Sequence, residues 1–78
     1  MTEDIIKWMR DVAGLAADAA VEVRDEAHCP DPGCPLRRTV IIWTAVAGQS
    51  HRIVVVKPVA YVRREDIERA VRLYAMSR

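Results

Sequence analysis

Eight consecutive residues, His28-Cys29-Pro30-Asp31-Pro32-Gly33-Cys34-Pro35, hold both cysteines and three of the four prolines of this 78-residue chain. Neither a helix interior nor a central strand runs through such a segment, because each proline removes a backbone donor and fixes its own φ. The segment is therefore a stiff loop, and the residues on either side of it must be read as separate elements.

Before the loop, Ile5, Trp8, Met9 and Val12 recur at helical spacing. Thr2 stands ahead of them as a candidate N-cap, and Glu3 and Asp4 fall in the first turn, where the helix dipole favours acids. Gly14 is a candidate stop for this first helix, although the alanine-rich stretch from Leu15 to Ala20 would let it run on. Val21 to Ala27 alternates as a strand does, with Glu22, Arg24, Glu26 and His28 on one side.

After the loop, Thr39 to Val46 is β-branched and contains Trp43, and the turn Ala47-Gly48-Gln49-Ser50 leads into a third strand, Arg52 to Lys57. Pro58 ends that strand. In the second helix Ile67, Ala70, Val71 and Tyr74 share a face, and Val62 and Ile67 are spaced as a hydrophobic staple around Arg63 at the cap. Glu65 with Arg69 and Glu68 with Arg72 are expected as i,i+4 ion pairs.

The order α-β-β-β-α predicts one α+β domain over residues 1–78, a three-stranded antiparallel meander with both helices packed on one face. Hydrophobic residues at 51% and charged residues at 29% exclude the composition of a disordered chain. No apolar run approaches the ~20 residues of a membrane helix. Met1-Thr2-Glu3-Asp4 carries no basic leader, so the expected setting is the cytoplasm, without membrane contact.

A meander puts the cysteine loop at the same end as Lys57, Pro58 and the start of helix two, and His51 at the other end. Both helix N-termini are expected to point toward the loop, with Arg37, Arg38, Arg63 and Arg64 around it. Charge is uneven in the same sense. Residues 1–39 carry eight acids and five bases, whereas the remainder carries three acids and seven bases. An anionic ligand would thus be met by the second half.

Cysteine and histidine are zinc ligands, but His51 lies a strand length from the loop and His28 faces away from Cys29. Within one chain Cys29 and Cys34 lack two ligands; two loops meeting across a dimer would supply four thiolates, for zinc or a metal-sulfur species. A disulfide is the second possibility, worth roughly 2 to 3 kcal/mol and redox-dependent in a reducing compartment. The third is a reactive or ligand-gripping thiol: Asp31-Pro32-Gly33-Cys34 can form one helical turn with Cys34 at its N-terminus, which lowers a thiol pKa. The bland alternative is that the prolines and cysteines only stiffen a turn.

Pro32-Gly33-Cys34-Pro35-Leu36 locally resembles the thiol-bearing turn of the small metal-sulfur cluster assembly domains. The acidic motifs of that family are missing, and a strand follows where the family has a helix, so none of its residue roles transfer. The element order is also similar to that of the double-stranded RNA-binding domain, with Arg63 and Arg64 where that family presents bases. Glu65 and Asp66 follow at once and the family's basic cluster is absent, which leaves nucleic acid as the lesser reading.

The two later strands are apolar on both sides. Ile41, Trp43, Val54 and Val56 are read as one face and Val40, Ile42, Ile53 and Val55 as the other; the first set is the expected interface of a homodimer or with a partner protein. No serine-histidine-acid arrangement or glycine-rich phosphate loop is present, and Asp25 and Glu26 point to opposite sides, so no enzyme activity is expected. The leading expectation is a small accessory or binding module that presents Cys29, Cys34, Arg37, Arg38, Arg63 and Arg64 to an anionic ligand, a metal-sulfur centre or a partner protein. The alternatives are a duplex-RNA-binding module and a structural homodimer without a ligand.

Overall fold

The computed structural model of the chain describes residues 2–33, 35–44 and 48–76. The elements follow the order α1 (Thr2–Ala13), β1 (Val21–Ala27), β2 (Arg37–Thr44), β3 (Ser50–Val55), a short 3-10 turn (Val59–Tyr61) and α2 (Arg64–Met76). The three strands form one antiparallel sheet in the order β1-β2-β3, an open meander of the α+β class.

α1 stops where a residue without Cβ is needed. Gly14 has φ +66°, and the Leu15 N–H reaches back to the Arg10 carbonyl at 3.0 Å, the six-residue closure of a glycine-terminated helix. The alanines that follow therefore do not extend the helix. α2 starts as the staple spacing predicts. Val62 and Ile67 are both buried in the core, and the Arg63 N–H donates to Asp66 Oδ2 at 2.9 Å, so an acid three residues into the helix satisfies its entry. The ion pairs on α2 differ from the expected set. Arg64 Nε lies 3.7 Å from Glu68 and Arg69 Nη1 lies 4.0 Å from Asp66.

Register decides which residues form the core. Val23 pairs with Ile41 and Ile41 with Ile53; Val21 pairs with Trp43 and Trp43 with His51. Side chains directly opposite each other lie on the same face of a sheet. Ile41, Trp43, Ile53 and Val55 thus share one face, and they are buried against Ile5 and Met9 of α1 and Ile67 of α2. Both helices lie on that face. Beneath it Thr39, fully buried, donates its hydroxyl to the Lys57 carbonyl at 2.8 Å.

The expected grouping of Ile41 and Trp43 with Val54 and Val56 is corrected by this register. Ile41 and Trp43 belong to the core, whereas Val54, paired with Val40, lies on the opposite face. β3 also begins two residues earlier than expected, at Ser50, because His51 continues the ladder opposite Trp43. Val46, the expected end of the second strand, and Ala47, the first residue of the expected turn, lie outside the described residues.

Candidate interaction surface

Of the four arginines singled out for the loop end, Arg37, Arg38 and Arg64 are each matched by an acid. Arg37 Nε lies 2.7 Å from Asp25 Oδ1, and Arg37 Nη2 donates to the Asp25 carbonyl at 3.0 Å. Arg38 Nη2 donates to Glu26 at 3.1 Å, and its Nε is buried without a hydrogen-bond partner among the described residues. Arg64 reaches Asp11 at 3.3 Å as well as Glu68. Arg63 is exposed, and its backbone rather than its guanidinium makes the contact with Asp66. The strongly electropositive edge expected there is instead a set of local ion pairs.

The helix ends do not converge either. Asp11 lies in the last turn of α1, so its pairing with Arg64 brings the start of α2 to the end of α1. The start of α1 lies about 13 Å further along its axis, nine residues at the helical rise. Lys57 does sit at the loop end, held by Thr39, as the meander requires.

Cys29 is half-buried just beyond β1 and is disulfide-bonded. Cys34 lies outside the described residues. In this state the Cys29 sulfur is neither a thiolate ligand nor a nucleophile, and the reading of Cys29 as a metal-binding or gripping thiol does not describe it. Among the described residues no three histidine, cysteine, aspartate or glutamate side chains gather as metal ligands. His28 extends the β1–β2 ladder by donating its N–H to the Leu36 carbonyl at 3.0 Å.

At the opposite end, His51 stacks on Trp43 with ring centres 5.5 Å apart, and its Nδ1 is hydrogen-bonded to the Tyr74 hydroxyl. Tyr74 meets Trp43 edge-on at 5.4 Å. This trio pins the end of α2 onto the start of β3. The other end of α2 is pinned by Lys57, whose Nζ lies 3.0 and 3.1 Å from the two oxygens of Asp66. Burial pushes the Asp66 carboxyl up, but the Arg63 N–H, the Lys57 hydrogen bonds and the charges of Lys57 and Arg69 outweigh it and hold its pKa below the ordinary value.

Between these two pins a groove runs along the outer edge of β3. Its loop-side part is lined by Val54, Val56, Lys57, Asp66, Arg69 and Leu73. Its far part adds Arg52 and Tyr74 and shares Val54, Ala70 and Leu73. Large apolar side chains stand open along it: Val54 is 37% exposed, Val56 55% and Leu73 59%, with Met76 at 76% on the last turn of α2. Three of its charged lining residues are cations and one is an acid.

The two edges of the sheet differ. β1 carries Asp25 on the helix-facing side, an inward charge of the kind that blocks further strand pairing. β3 shows an uninterrupted row, Ile53-Val54-Val55, with no strand on its outer side among the described residues. Neither the groove nor the His51–Tyr74 pin was legible in the sequence, since both join residues more than ten positions apart. No family model matches the chain, and no curated protein or solved structure is similar enough to it to carry an argument.

Proposed function

We propose that this chain is a cytoplasmic binding module that docks a partner protein in the groove between β3 and α2. The observation that carries this reading is the coincidence of an unguarded edge strand with exposed apolar side chains on both sides of it, Leu73 of α2 on the helix side and Val54 on the open side, with Val56 exposed at the end of the strand. Lone apolar side chains on a surface are ordinary; a row of them beside free backbone is what a protein segment can use. The paired arginines favour this surface over the loop end, because a cation already matched by an acid offers little to an anionic ligand. Arg64 is engaged in the same way, which removes support from the duplex-RNA reading. The cysteine loop then serves as a staple at the end of the β1–β2 hairpin, redox-dependent in a reducing compartment.

The test is selection of binding peptides from a displayed random library on the immobilised chain. The expected clones lose binding to Leu73→Asp and keep it with Arg37→Ala. Clones that bind Leu73→Asp as well as the unaltered chain would overturn the reading.

A further inference from the structure

We infer that the occupant of this groove is an extended segment of a partner protein, alternately acidic and apolar, which adds to β3 as a fourth strand. This inference rests on the groove being the docking site. Its first support is the direction of the free backbone groups. Thr44 N–H donates to the Ala20 carbonyl at 3.1 Å and His28 N–H to the Leu36 carbonyl at 3.0 Å, in the same register that pairs Val21 with Trp43. In an antiparallel ladder, directly opposed residues alternate between bonded and non-bonded pairs. The even-numbered residues of β2 therefore spend their backbone groups on β1, and the odd-numbered ones face β3. On β3 this assigns His51, Ile53 and Val55 to β2, since they oppose Trp43, Ile41 and Thr39. The N–H and C=O groups of Arg52 and Val54 are left pointing outward, along the groove.

The second support is charge. Asp66 is the one acid of the groove wall and is shared by Lys57 and Arg69, so the wall keeps a net positive charge, and Arg52 is in no ion pair among the described residues. Pairing β3 with the β3 of a second copy would bring two such cationic walls together, an arrangement disfavoured by like-charge repulsion. An incoming strand that turns apolar side chains toward Ala70 and Leu73 places its alternate carboxylates on the open face of the sheet beside Arg52, while Lys57 and Arg69 add positive charge from the α2 side. Because β3 has no more than six paired residues, a short segment is enough.

The experiment uses three kinds of synthetic peptide of about eight residues, enough to span the edge strand. They are alternating glutamate–valine, alternating lysine–valine, and the glutamate–valine peptide with N-methyl groups on either its valine or its glutamate amides. Titration should show binding of the glutamate–valine peptide, at least about tenfold weaker binding of the lysine form, and loss of affinity as salt rises. One N-methylated series should lose binding and the other keep it, because only one set of amides faces β3. Amide hydrogen exchange at Arg52 and Val54 should slow when the peptide is bound. Equal binding of the lysine peptide would overturn the acidic character of the segment, and tolerance of both methylated series would overturn strand addition, either one leaving the groove in place provided that Leu73→Asp still abolishes binding. Binding that survives Leu73→Asp would overturn the groove itself. A concentration-dependent dimer in ultracentrifugation, dispersed by Val54→Lys, would assign the edge to a second copy and also overturn the inference.

Discussion

Lys57 and Asp66 join the strand end to the helix start: the ammonium lies 3.0 and 3.1 Å from the two carboxylate oxygens, and Asp66 is only 8% exposed. The same carboxylate accepts the Arg63 N–H, so it closes the entry of α2 and holds one wall of the groove. Asp66→Ala is expected to cost about 1–2 kcal/mol, the range for losing a helix-entry acceptor and a charged hydrogen bond. Lys57→Ala should cost less than about 1 kcal/mol, because its side chain is half exposed and solvent screens the pair. Urea titration of the two variants against the unaltered chain measures the difference.

The lowered pKa of Asp66 sets a pH dependence. An unfolded aspartate titrates near about 3.9. Between that value and the lower folded pKa the unfolded chain binds more protons, so stability is present above the interval and is lost as the pH falls through it. The urea midpoint of the unaltered chain should therefore decline more steeply below about pH 4 than that of Asp66→Asn, which has no carboxyl to protonate.

The register separates the two faces of the sheet in a way that single substitutions can read. Trp43→Glu places a charge in the core against α1 and α2 and should unfold the domain, a loss of roughly 4 kcal/mol or more. Val54→Glu, on the open side of the edge strand, should keep the far-ultraviolet circular dichroism of the fold and change stability by less than about 1 kcal/mol. Equal tolerance of both would contradict the register.

Reduction should leave the fold intact but loosen the hairpin. Cys29 is disulfide-bonded and the chain has two cysteines, so a monomeric oxidised chain should weigh about two mass units less than the reduced one. The predicted loss of stability on reduction is roughly 2 kcal/mol, as expected for opening a short loop. Intact-mass spectrometry and thermal unfolding with and without reductant check both figures.

Local chemistry made the elements legible from the sequence. The strand alternation of Val21–Ala27, the Val62–Ile67 staple and the prolines after Ala27 each act over a few residues, and the structure places β1, α2 and the loop where these signals do. The face assignment was not legible. Alternation tells which residues of one strand share a side, but it cannot say which sides of neighbouring strands coincide when both are apolar throughout. Only the pairing of Trp43 with His51 turned Ile41 and Trp43 inward and left Val54 and Val56 outside.

The stiff loop and the order α-β-β-β-α were determined by the sequence alone, through proline geometry, capping and hydrophobic period. The tertiary structure decided the charge of the loop end, because Asp25, Glu26 and Asp11 reach Arg37, Arg38 and Arg64 across 12, 12 and 53 positions. It also decided where binding is best supported. A groove exists only where an edge strand and a helix face meet, and that meeting is fixed by long-range packing rather than by any run of neighbouring residues.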